Sequence, residues 1–164
     1  MAFVTVAEVR ENTTLTHNVD SNDITPIIAA IEAQWIEPIL GTYFMEYLDA
    51  LSSPNSNETK LINKIKPCVW WGVTSELSIS LSYRLVNKGL QKQSGEYSEP
   101  LEVQEVGFVA KEYSKKRDIF LSRLVDYLKV NKNLFPQFLS SQNNDSDVKK
   151  SLENDFLTSG FDII

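Results

Sequence analysis

A chain of 164 residues with 42% apolar and 23% charged side chains has the make-up of one globular domain with a real core. Its net charge of −6 argues against a general nucleic-acid binder, which needs basic surface to neutralise phosphates. No apolar run approaches the roughly 20 residues of a membrane span, Met1 to Thr5 lacks the basic start of a secretory leader, and a single cysteine excludes an intrachain disulfide.

Residues 1–20 read as an N-terminal arm. Val4, Val6 and Val9 with Thr13, Thr14, Leu15 and Thr16 favour extended backbone, yet the stretch is too polar for an isolated strand. His17 is the only histidine, and with no cysteine or second histidine to join it, an exposed or locally bonded imidazole is expected rather than a metal ligand. The first clear helix follows. Asp23 or Thr25 caps it, Pro26 takes a tolerated first-turn position, and Ile27, Ile28, Ile31, Trp35 and Ile39 mark its buried face. Pro38 weakens its last turn and Gly41 stops it. Thr42 then caps a short helix with Phe44, Tyr47, Leu48 and Leu51 on its apolar face, and Ser52 to Asn57 is a turn by composition.

Lys60 to Leu90 is the segment around which the rest is organised. Asn57 is a capping candidate, Glu58 suits the positive helix end, and Leu61, Ile65, Val69 and Val73 recur at helical spacing. Pro67 predicts a kink or a second helix start. Trp70, Val73, Leu77, Leu81 and Leu85 form one apolar sector; Ile79, Tyr83, Val86 and Leu90 form a nearly opposite one, so packing on both sides is expected. From Ile79 a second pattern competes. Ile79, Leu81, Tyr83 and Leu85 alternate with Ser78, Ser80, Ser82 and Arg84, which is the period of a half-buried strand, so 79–90 reads as helix or strand, ended by Gly89. Cys68, among apolar neighbours, reads as a small buried hydrophobe.

Gln91 to Pro100 has no helical period and one aromatic, Tyr97. It reads as a surface loop, or as a loop ordered by a partner with Tyr97 as anchor. A long helix spans about Leu101 to Val130, with Val103, Val106, Ala110, Tyr113, Phe120, Leu124 and Leu128 in one stripe, Arg117 filling its missing slot and Gly107 marking a close approach. Lys115, Lys116 and Arg117 read as a solvated basic turn, or as a contact for DNA or an acidic neighbour. Residues 140–154 are polar and turn-rich. The end differs: Phe156, Leu157, Phe161, Ile163 and Ile164 crowd the last nine positions, predicting a docking arm on a polar tether that is covered by a neighbouring chain or folds back on its own.

Charge is unevenly spread. Between Arg10 and Lys60 there are eight acids, Glu11, Asp20, Asp23, Glu32, Glu37, Glu46, Asp49 and Glu58, and no lysine or arginine. Basic residues gather later, at Lys111, Lys115, Lys116, Arg117, Arg123, Lys129 and Lys132. Two such regions suit head-to-tail contact between copies, or are simply two solvated faces. No catalytic set assembles. There is no phosphate-cradling glycine loop, zinc spacing or nucleophile elbow, and the pairs Glu32 with Glu37 and Glu46 with Asp49 read as solvated surface rather than acid–base machinery. No enzyme, cofactor or metal is expected.

Asn18-Val19-Asp20 leading into Ile24-Thr25-Pro26-Ile27-Ile28, then Ile36-Glu37-Pro38-Ile39-Leu40-Gly41-Thr42, resembles the opening helices of head–tail connector proteins of tailed bacteriophages, of the type found in Bacteroidetes phages including the crAss-like group. Lys66-Pro67 before the tryptophan pair, Val86-Asn87-Lys88-Gly89-Leu90 with Gln93-Ser94-Gly95-Glu96, and Leu124-Val125-Asp126-Tyr127-Leu128 running to Leu134-Phe135-Pro136 resemble the same family in the same order. The resemblance spans most of residues 18–136. It implies a structural virion protein made in the host bacterial cytoplasm: a homo-oligomeric ring, commonly a dodecamer, beneath the portal protein, touching other connector or tail rings, with DNA passing through unread. The expected fold is mainly α, a bundle of about four helices over 21–139 with an extended or β-hairpin-like excursion at 79–100, and flexible arms at 1–20 and 140–164. Gln93, Ser94, Gly95, Glu96 and Tyr97 in the loop, and Phe156, Leu157, Phe161, Ile163 and Ile164 in the terminal arm, are the expected partner-facing residues. From another class, a helical adaptor that forms no ring fits the same composition; an enzyme of small-molecule metabolism is the distant third.

Overall fold

The computed structural model describes residues 3–86, 89–92 and 103–138. The arrangement is mainly α, as the apolar periodicity predicts. Two long helices, α5 (Ser56–Ser80) and α6 (Val103–Asn131), form its axis. At about 1.5 Å per residue they run roughly 37 Å and 43 Å. They are antiparallel: Lys64 lies against Tyr127, Trp71 against Tyr113, and Ser75 against Ala110 and Ser114. Around α5 pack α1 (Val6–Asn12) and α2 (Ser21–Ile31), followed by a π-helical turn (Glu32–Ile36), α3 (Glu37–Leu40) and α4 (Thr42–Ala50).

The first twenty residues depart from the extended arm expected of them. Thr5 and Glu8 make a reciprocal cap, the Thr5 hydroxyl accepting from the Glu8 N–H while the Glu8 carboxylate accepts from the Thr5 N–H, and this starts α1. Val4 and Val9 are buried in the main core, and Lys66 of α5 pairs with Glu8. Of the valines that suggested strand, Val9 is a core residue of a short helix, Val6 is half-buried on it and Val4 is buried just ahead of it. Tertiary burial overrides their β propensity.

Helix α2 is capped by Asp20, whose side chain accepts from the Asn22 N–H, rather than by Asp23 or Thr25. Pro26 consequently sits inside the helix. Gly41 adopts φ 81°, a conformation open to glycine, and ends α3 as expected. Thr42 lies just inside α4 and not at its cap; its hydroxyl donates to Glu37 at 2.7 Å. Asn55, not Asn57, caps α5 and forms a capping box with Glu58. Pro67 stands within α5 without ending it.

Leu61, Ile65, Cys68, Val69, Val73 and Leu77 of α5 are buried, while Ile79 is 48% exposed, so the second apolar sector expected on α5 does not close over Ile79. Helix gives way to strand after Ser80. β1 (Tyr83–Val86) and β2 (Gly89–Lys92) pair antiparallel, Val86 opposite Gly89 and Tyr83 opposite Lys92, so the strand alternative holds from Tyr83, and Gly89 opens a second strand rather than ending the element before it. On α6 the buried stripe is Val106, Ala110, Arg117, Leu121, Leu124, Val125 and Leu128, with Tyr113 and Phe120 half-buried beside it.

The close approach is at Gly72, not Gly107. A Cβ at Gly72 would stand 2.8 Å from Ile31 Cγ2 and 3.4 Å from Arg117 Cδ, whereas one at Gly107 would meet nothing within 4 Å. At the far end from the hairpin, Phe44 meets Phe138 at 5.6 Å and Phe135 at 5.9 Å between ring centroids, and Phe135 also meets Tyr127.

Candidate interaction site

Ser78, Ser80 and Ser82, which weaken the helical pattern in the sequence, fall where α5 ends beside the start of α6. Between these helices and the Thr13–Leu15 segment lies a groove of about 280 Å³. Its apolar wall is Leu15, Leu77, Leu81, Val106 and Val109. The hydroxyls in the wall are already engaged: Thr74 donates to the Trp70 carbonyl, Ser78 to that of Thr74 and Ser82 to that of Ser78, each at 2.7–2.8 Å. Thr14 and Tyr113 bond each other at 2.9 Å across the rim. Such a wall recognises shape and apolar surface rather than hydrogen-bonding groups.

The basic triplet of α6 is not one solvated turn. Arg117 is 8% exposed, lies 3.8 Å from the Trp35 ring centroid and bonds Asp118 at 2.8 Å. Lys116 sits over Trp71 at 4.0 Å, on an aromatic stack completed by Tyr113, and Lys115 pairs with Glu112. Only the two lysines reach solvent. The remaining exposed cations of α6, Lys111, Arg123 and Lys129, share its outer surface with the exposed acids Glu105 and Asp126, while most of the eight acids of the earlier stretch lie on α2 to α4 and the caps beside them.

The acids are not uniformly solvated either. Glu58 is buried as part of the α5 cap and receives the Tyr47 hydroxyl at 2.6 Å. Glu32 is 5% exposed, and its carboxylate accepts the Phe3 N–H at 2.9 Å. Burial pushes its pKa up to about 7; the Phe3 and Val4 N–H groups oppose that rise, and the nearby negative charge of Asp49 adds to it. The sequence signal for Glu32 was present, because Ile24, Ile28 and Glu32 step by four along one helix face. Glu37, Glu46 and Asp49 line a second, smaller groove with Phe3. Among the described residues no group of three or more histidine, cysteine or acidic side chains is placed to hold a metal ion. Cys68 is fully buried and burial raises its thiol to about 12, which agrees with a packing role.

The expected partner-facing residues, Gln93 to Tyr97 in the loop and Phe156, Leu157, Phe161, Ile163 and Ile164 in the terminal arm, lie outside the described residues. His17, which is described, is exposed. No helix among the described residues is long and apolar enough to cross a membrane.

No curated protein and no solved structure matches the chain. A family model described as "Family of unknown function (DUF6712)" matches residues 36–148, from the π-helical turn through α6 and beyond. That match takes in more than half of the chain, including both α5 and α6, and the chain therefore belongs to the DUF6712 family.

Proposed function

We propose that this chain is a structural virion protein, a subunit of a ring in the head–tail connector of a tailed bacteriophage. The ring would sit beneath the portal protein and form part of the channel through which the genome is packaged and ejected. The observation that carries this reading is where the resembling motifs fall in the fold. Asp20 caps α2, Gly41 and Thr42 form the α3–α4 corner, Val86 and Gly89 face each other in the hairpin, and Phe135 closes the aromatic end. These are the joints of the bundle, so the resemblance touches the residues that set its geometry.

The charge distribution supports the same reading. An α2–α4 region that carries acids and no lysine or arginine, and an α6 that carries the exposed cations Lys111, Lys115, Lys116, Arg123 and Lys129, belong to different elements, which suits contact between the front of one copy and the back of the next. Twelve copies is the number the resemblance implies. In such a ring the loop at 93–97 and the terminal arm would reach adjacent subunits, the portal protein or other connector and tail rings, and DNA would pass without being read. The protein would be made in the host bacterial cytoplasm and act as a part, not as an enzyme.

Light scattering of the full-length chain over rising concentration, alone and mixed with the portal protein, tests this. A ring-sized species, formed alone or on addition of the portal protein, is expected. A chain that stays monomeric in both conditions but binds another protein one to one would replace the ring with the adaptor reading.

A further inference from the structure

The groove at the hairpin end of the α5–α6 pair has a wall without free donors and a volume that limits its occupant. An apolar cavity of about 150 Å³ holds one benzene. A groove of about 280 Å³ is therefore sized for about two large apolar side chains, at the low end for a small-molecule site. The chain itself carries such side chains with no partner assigned: Phe156, Leu157, Phe161, Ile163 and Ile164.

Distance and tether agree. The described chain ends at Phe138, packed on Phe44 near Tyr127, while the groove lies by Val109. Eighteen residues of α6 separate Tyr127 from Val109, about 27 Å at helical rise. A flexible coil as long as the polar stretch 139–155 spans roughly 21–25 Å root-mean-square, and more when extended. The far groove is within its reach.

We infer that the groove between Leu77, Leu81, Val106 and Val109 is the seat of the terminal segment 155–164, filled by the chain's own end in the isolated protein. A neighbouring copy presents an identical groove, so the same contact is available for exchange when copies lie side by side. The inference concerns the isolated chain and does not depend on the ring.

Disulfide trapping in the full-length protein tests it. Cys68 is fully buried with a thiol raised to about 12, so it can stay in place. The pair Val109→Cys with Phe161→Cys should cross-link about tenfold faster than Ile119→Cys with Phe161→Cys, because docking raises the local concentration. Ile119 is an exacting control: it is 53% exposed and nearer the start of the tether, so random encounter favours it. Equal rates for the two pairs would overturn the proposal. So would faster trapping of Val109→Cys by Tyr97→Cys, which would make the adjoining loop the occupant. As a second measurement that spares the apolar wall, Ser78→Lys should expose the bonds after Phe156 and Phe161 to chymotrypsin about tenfold more than in the wild-type chain. Unchanged cleavage would also sink the idea.

Discussion

Glu32 is a carboxylate that the fold holds largely out of water against the backbone of its own N-terminus. Its proton affinity is higher folded, with a pKa of about 7, than unfolded, near 4.5. The folded state therefore keeps its proton where the unfolded chain loses it, and stability drops as pH rises through that interval. A shift of that size corresponds to roughly 3 kcal/mol as an upper figure. Glu8 works in the other direction. Burial alone would raise its pKa, but Lys66 and the Thr5 N–H outweigh that and lower it, so its contribution is lost only as pH falls below the ordinary carboxylate range. The two windows do not overlap. Melting temperature is expected to fall between about pH 5 and 8, and Glu32→Gln, which keeps an acceptor for Phe3 and cannot ionise, should flatten that slope. An unchanged slope in the variant would assign the pH dependence to another group.

Gly72 marks a close crossing between elements, with Ile31 of α2 and Arg117 of α6 against it. Ile31 Cγ2 is fixed to a branched, rotamer-restricted Cβ and cannot swing aside. Gly72→Ala should therefore destabilise the fold by about 1–3 kcal/mol, despite the better helix propensity of alanine. In a double-mutant cycle with Ile31→Ala the combined loss should be smaller than the sum, as expected for two groups competing for one space. Additive losses would show that the crossing has slack.

Much at this scale was legible in the sequence. The spacing of Leu61, Ile65, Val69 and Val73 predicts α5, Gly41 predicts the α3 stop, and the serine alternation after Ser78 points to the switch into strand. Residues 1–20 read wrongly even though Thr5 and Glu8 spell a capping signature, because a seven-residue helix is too short to show a period. Glycine itself carries no label. Nothing local separates Gly72, wedged between helices, from Gly107, which faces open space; the difference is made by partners 41 and 45 residues away. Arg117 interrupts an apolar stripe in the sequence, and its ring partner, Trp35, lies farther off along the chain than either neighbour of Gly72. The residues expected to meet partners, Gln93 to Tyr97 and the last nine positions, lie outside the described residues, so that part of the reading rests on composition.

For the whole molecule, the proposed assembly combines two kinds of contact, and salt separates them. Raising ionic strength from about 0.1 to 1 M shortens the screening length from roughly 10 to 3 Å, which weakens attraction between the acidic α2–α4 region and the cations of α6 while leaving apolar contacts engaged. Assembly should therefore loosen with salt, as read by light scattering, and assembly indifferent to salt would remove the charge split from the account. Tyr97→Ser should weaken assembly without moving the melting temperature of the isolated chain. A lower melting temperature would place Tyr97 in the core instead.

The Ser75 hydroxyl bonds the Ala110 carbonyl at 2.9 Å and the Ser114 hydroxyl at 2.8 Å, inside the seam between α5 and α6. Sliding one helix past the other by a turn, about 5.4 Å, would break both of these bonds across the seam, each worth roughly 0.5–1.5 kcal/mol. It would also move Arg117 off both Trp35 and the gap left by Gly72. Each of these contacts favours the observed setting of the two helices over one a turn away. A push on the hairpin at one end must arrive at the Phe44–Phe135–Phe138 cluster at the other as displacement of a strut, not as slippage within it.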